Sequence, residues 1–104
     1  MTKNNKNIVF VGTKPMMHYL NAAQFSLKRN NKIKICARGK NISRAVDVVE
    51  ILEKRFMKDE IEKVSILTDS EKFDSREDPN KKINVSTIEI IIRNKLFPEG
   101  KKDL

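Results

Sequence analysis

The feature that most constrains this chain is a change of period between Lys32 and Met57. Over "KIKICARG", residues 32–39, polar and apolar side chains alternate. Ile33, Ile35 and Ala37 share one face, and Lys32, Lys34, Cys36 and Arg38 the other, which is the pattern of a half-buried strand. From Asn41, a plausible N-cap, to about Met57 the repeat becomes helical. At about 100° per residue, Ile42, Ala45, Val46, Val48, Val49, Leu52, Phe56 and Met57 cover roughly half the circumference, interrupted only by Glu53. That is wider than one sheet needs for cover. Ile51 falls outside the stripe, between Arg44 and Asp47 on the polar side, and beside so broad a stripe it favours a second protein contact.

The flanking segments extend the alternation of strand and helix. "IVFVG", closed by Gly12, reads as a short strand buried on both faces or nearly so. Pro15 suits the first position of a helix, because the N–H it lacks would be unpaired there. Met16, Leu20, Ala23 and Leu27 then form one apolar stripe that ends near Asn30 and Asn31. "KVSILT" and "NVSTIEIIIRNKL" read as two more strands, the second with Ile88, Ile90 and Ile92 on one face. The charged stretch between them, "DSEKFDSREDPNKK", makes one long hairpin whose tip projects from the body. The expected architecture is one α+β domain, a two-layer β-α-β-α-β-β sandwich over residues 8–97. A loose N-terminal arm, 1–7, and a tail, 98–104, flank it.

A chain of 104 residues buries only about 60–70% of its unfolded surface, which leaves little room for a deep enclosed active site. Twenty-two Lys and Arg against fourteen Asp and Glu give a net charge of +8, which favours a polyanion as partner. Nucleic acid and an anionic membrane both qualify, and a basic protein with no such partner is the plain alternative. No run of about 18 apolar residues would span a bilayer, and Met1–Asn7 lacks the apolar core of a signal peptide. The protein is therefore expected to be soluble and intracellular, with no membrane partner.

One cysteine, Cys36, and one histidine, His18, supply neither a disulfide nor a zinc set, so no metal and no cofactor is expected. No nucleophile–base spacing accompanies His18, and neither G-x-G-x-x-G nor G-x-x-x-x-G-K-[ST] occurs. The chain is read as a non-enzyme, with no catalytic residue.

Helix N-termini attract phosphate, and the sequence places basic residues beside two of them. One is Gly12-Thr13-Lys14-Pro15; the other is Arg38-Gly39-Lys40-Asn41, with Arg44 one turn further on. In a β-α-β-α order both loops leave the same ends of adjacent parallel strands, so Lys14, Arg38, Lys40 and Arg44 gather on one edge. Such a patch suits phosphates spaced along a backbone. Arg44 could instead pair with Asp47 at i, i+3. For base stacking, Phe10, Phe25 and Phe56 are assigned to core or interface, leaving Tyr19, Phe73 and Phe97. Phe73, on the hairpin arm, is either a wedge or stacking platform or a packing residue against a partner's arm.

At these residues the chain resembles the Alba family of small basic archaeal chromatin proteins. The resemblance lies in "IVFVGTKPMMHYL", "IKICARGKNISRAVDVVEILEKRF" and "VSTIEIIIR", within residues 8 to 93. It implies a fold like the C-terminal domain of a bacterial translation initiation factor. It further implies a homodimer that binds double-stranded DNA with little sequence preference in the cytoplasm, on the chromosome, with RNA as a further target. Lys14, Arg38 and Lys40 match the family's backbone contacts, and Phe56 falls where members use an apolar residue between dimers. Two departures stand out. Thr13 replaces a second lysine that many relatives carry as a site of regulatory acetylation. The arm, which in relatives reaches toward the minor groove, has Asp69, Glu71, Asp74, Glu77 and Asp78 against Lys72 and Arg76 in its first half, with Lys81 and Lys82 on the return. Binding by the body is accordingly expected to outweigh insertion of the arm. The alternative function is RNA binding, as an RNA chaperone or ribonucleoprotein subunit.

Overall fold

The computed structural model describes residues 7–98. Along the chain they form β1 (Ile8–Phe10), α1 (Met16–Arg29), β2 (Lys32–Arg38), α2 (Ile42–Ile51), β3 (Ile61–Asp74) and β4 (Lys82–Asn94). A 3-10 turn, Gly39–Asn41, joins β2 to α2, and a wider π-helical turn, Leu52–Phe56, follows α2. The element order read from the sequence is the order found. Apart from Asn7 and Pro98, the arm and tail expected at the two ends lie outside the described residues.

The strands form one sheet in the order β1-β2-β4-β3. β1 and β2 run parallel, with Val9 opposite Ile35, while β2/β4 and β3/β4 are antiparallel. Period two decides which face is buried. Ile33, Ile35 and Ala37 of β2 and Ile88, Ile90 and Ile92 of β4 point to the helices. There they meet Leu20, Ala23 and Leu27 of α1 and Ala45, Val48, Val49 and Leu52 of α2 in one core. Truncating one such fully buried Leu or Ile to Ala costs about 2–5 kcal/mol, so the face set by alternation is the main source of stability.

The helices cover only one face of the sheet, and this overturns the reading of β1. It is an edge strand buried on one side, and Phe10 is 67% exposed on the other. On α1 two aromatics exchange their expected places. Phe25 lies roughly 180° round the helix from Met16 and is 59% exposed, its ring under the Arg29 guanidinium at 4.3 Å. Tyr19 sits on the flank of the stripe and is 4% exposed, so it is not free to stack on a base.

The broad stripe of α2 is likewise turned from its expected centre. Arg44 and Ile51 lie on the flank facing α1, and Ile51 is half-buried against the core rather than presented outward. The opposite flank faces β3, whose Lys63 bonds Glu50 at 2.8 Å and Glu53 at 2.9 Å. Hydrogen bonds from Lys63 and Lys54 hold the Glu50 carboxyl below its ordinary pKa, and the Glu50 and Glu53 carboxylates hold Lys63 above its own. On that flank Val46 and, beyond the helix, Phe56 remain exposed, as do Val64 and Ile66 of β3. Val64 falls at a bulge between Lys63 and Ser65, where the β3/β4 register shifts.

The hairpin is longer and more regular than its charged sequence suggested. Pairing continues from Ile61 opposite Asn94 to Asp74 opposite Lys82, and only residues 75–81 form the turn. Beyond Thr87, the partner of Arg38, β3 and β4 pair with each other alone.

Candidate nucleic-acid interface

Parallel pairing of β1 with β2 sets the carboxyl ends of both strands side by side, and the ladder runs on through Val11 N–H to the Cys36 carbonyl at 2.8 Å. The loop after β1 and the turn after β2 therefore occupy one edge.

The first loop is held from beneath. The Lys14 N–H donates to the Tyr19 hydroxyl at 2.9 Å. A Cβ at residue 12 would stand 3.3 Å from the same oxygen, which is why a glycine fits there. Arg44 reaches across from α2: its Nε donates to the Gly12 carbonyl at 2.8 Å, and a terminal nitrogen donates to the Lys14 carbonyl. Its guanidinium lies 5.9 Å from the centre of the Tyr19 ring. Arg44 is thus engaged with backbone rather than with Asp47, and it locks one basic loop to the helix that follows the other. Its grouping with the patch is seen, but its polar atoms point into the structure. Thr13 and Lys14 remain exposed above this clamp.

The second turn depends on Gly39, whose φ is +60°. An added Cβ would meet Val85 Cγ1 at 3.7 Å, an ordinary contact, so space does not forbid a side chain and the backbone angle does. Gly39→Ala should lower stability by about 1–2 kcal/mol, the cost of a left-handed L-residue, as read by urea unfolding. Arg38 and Lys40 flank the glycine and are exposed. Asn41 occupies the expected N-cap position of α2 and closes the 3-10 turn, half-buried, but its side chain makes no cap bond. Lys14 and Lys40 have no ion-pair partner among the described residues.

The arm cations are less available. Lys82 Nζ pairs with Asp74 Oδ1 at 2.5 Å, while Arg76 and Lys81 are exposed on the tip. That tip is closed by Ser75 N–H to the Lys81 carbonyl and Lys81 N–H to the Asp78 carbonyl, both at 2.9 Å. Phe73 contacts its own body, with the Arg38 guanidinium 5.1 Å from its ring centre.

The uncovered sheet face differs in character. Phe10, Cys36, Leu67, Asp69, Glu71 and Glu89 border a hollow of about 920 Å³ that Arg38 also lines, and its three carboxylates disfavour phosphate there. Burial raises the Cys36 thiol pKa, the Glu89 carboxylate adds to the effect, and Lys34, 3.0 Å from Glu89, opposes it.

Sequence reasoning missed Tyr19 and the clamp of Arg44. Tyr19 had a signal, being three residues after Met16 and four before Ala23 on the stripe's flank. The acceptors of Arg44 lie 30 and 32 residues away, where spacing carries no signal.

A helix-covered mixed sheet with a fixed, loop-borne cationic edge defines a class of small basic α+β domains. Residues 7–70 match the family model for Alba. "DNA/RNA-binding protein Alba" of Methanocella arvoryzae is 42% identical over 89 residues, covering 84% of this chain and 88% of that protein. Its counterpart in Methanococcus maripaludis is 45% identical over 89 residues, covering 83% and 96%. The solved structure of Alba from Thermoplasma volcanium superposes with a TM-score of 0.75 at 43% identity, covering 85% of this chain and 100% of that one. An Alba structure from Trypanosoma brucei shares the fold at a TM-score of 0.70 and 21% identity, covering 88% and 72%. The chain belongs to the Alba family.

Proposed function

We infer that the protein is a DNA-binding chromatin protein that coats or compacts double-stranded DNA through backbone contacts with little sequence preference. The observation that carries this reading is the gathering of Lys14, Arg38 and Lys40 on one clamped edge, two of them without an ion-pair partner among the described residues and the third stacked only on Phe73. Point charges on short loops match phosphates and read no base edge, so affinity comes from counterion release. Arg44 serves by positioning Lys14; Thr13, Gly39 and Asn41 supply turn geometry; Arg76, Lys81 and Lys82 add weaker contacts from the arm. The reading assigns no catalytic step and no cofactor, and places the protein in the cytoplasm on the chromosome.

The working unit is a homodimer. Val46, Val64 and Ile66 leave apolar surface exposed where α2 meets β3, and a second copy laid there would cover it. Phe56, exposed at the end of the π turn, serves contact between dimers, and Ile51 contributes little because its own core already covers it. RNA binding is the second reading, favoured by relatives named as DNA/RNA-binding and by the indifference of a phosphate-facing edge to the sugar.

The test is a titration of one random sequence, as duplex DNA and as duplex RNA, at three salt concentrations. With about three phosphates per protomer, log affinity against log salt should have a slope of about −5 on DNA. A slope near zero would sink the account, and stronger binding to RNA would move the same surface to RNA biology.

A further inference from the structure

Phe73 has no part in the function just described. It stands on β3 opposite Ile83, next to the last pair of the arm, with a half-buried ring. Its approach to Arg38 brings the arm back over the Gly39 turn, where Val85 also lies close. An open hollow of about 620 Å³ results near the tip of the arm, with Phe73, Ile83 and Val85 as its apolar wall and Arg38 and Arg76 as its cationic border.

The chemistry of this hollow suits a flat ring with a polar edge, tethered to a phosphate. Bases inside a duplex keep both faces stacked and cannot enter, whereas an unpaired base offers a free face to an aromatic side chain or a guanidinium plane. Asp74 and Glu77 also border the hollow. Asp74 is already paired with Lys82, and the carboxylates oppose a second phosphate, which limits the space to one nucleotide. Arg38 belongs both to the hollow and to the basic edge, so a strand held at Gly39 has its next base within reach.

We propose that this hollow is a stacking site for one unpaired nucleobase of a bound strand, with Phe73 as the stacking face and Arg38 as the bridge to the backbone patch. The proposal rests on the reading of the basic edge as a backbone-binding surface. It makes Phe73 the residue that separates bulged or single-stranded ligands from uniform duplex.

The experiment compares wild type, Phe73→Ala, Phe73→Leu and Phe73→Tyr on three probes at one salt concentration. The probes are a blunt random DNA duplex, the same duplex with a one-nucleotide bulge, and a single-stranded RNA of equal phosphate number. Alanine and leucine should each weaken binding to the bulged and single-stranded probes by roughly 5- to 150-fold, while blunt duplex changes by less than about two-fold and tyrosine restores the difference. Leucine keeps the apolar bulk without the ring, so it carries the test should alanine loosen the arm. Equal loss on all three probes would reduce Phe73 to a prop for Arg38, and no loss on any would remove the hollow from binding; either result overturns the proposal. Failure of the basic edge itself shows separately, as wild-type affinity for blunt duplex that does not change in Arg38→Ala/Lys40→Ala.

Discussion

Arg38→Ala/Lys40→Ala should weaken binding to a random DNA duplex about 10³-fold at 0.1 M salt and flatten the salt slope from about −5 to about −2. Each phosphate contact contributes about 0.9 of a decade per decade of salt, and a dimer loses four of them. Both side chains are exposed, so melting temperature should hardly move, which separates lost contact from lost fold. Circular dichroism beside the titrations checks this. Full retention of affinity would place the binding surface elsewhere on the molecule.

Arg44→Ala should act in the opposite sense, through stability first. It removes charge-assisted hydrogen bonds to the carbonyls of Gly12 and Lys14 and leaves both acceptors to find water. At about 1.5–3 kcal/mol for each bond to a charged group, and with incomplete additivity, the expected loss is about 2–4 kcal/mol in urea unfolding. Affinity should fall as the first loop loosens, while the salt slope changes by less than about one, because no phosphate contact is deleted. Arg44→Lys should fall between, since one ammonium cannot reproduce the fork that spans two carbonyls. Unchanged stability with a slope flatter by about two would instead make Arg44 a direct phosphate ligand.

These two variants also mark how far the sequence could be read. Arg38 and Lys40 were legible because their position follows from local pattern: a period-two strand, a glycine, and a helix that begins at once. The same local logic gave the element order, the buried face of β2 and β4, and the edge where both basic loops meet. Arg44 was legible as a member of that edge but not in its role, because its partners come from parallel strand pairing across more than 30 residues. Phe10 misled for a related reason: a three-residue run of β-branched and aromatic residues does not say whether its strand lies at an edge or between two layers. Phe25 was readable from the helical wheel, where it stands opposite the stripe. The π turn at Leu52–Phe56 and the bulge at Val64 have no counterpart in the spacing of apolar residues.

The self-paired part of the hairpin gives the molecule an adjustable reach. From Ser70 opposite Ser86 to Asp74 opposite Lys82 the arm has five cross-strand pairs, roughly 17 Å at about 3.4 Å per residue. None of these residues belongs to the core, so insertion or deletion here leaves the body's folding energy almost untouched. Side chains alternate faces, however, and removing a single pair below Phe73 would turn its ring to the far side of the ribbon, away from Arg38. Changes of two pairs at a time, in steps of about 7 Å, instead keep the ring on the face of the ribbon that Arg38 shares. Natural or designed length variants that obey this parity should keep Phe73 on the side of the ribbon where Arg38 lies, and those that break it should carry a detached arm on an intact body.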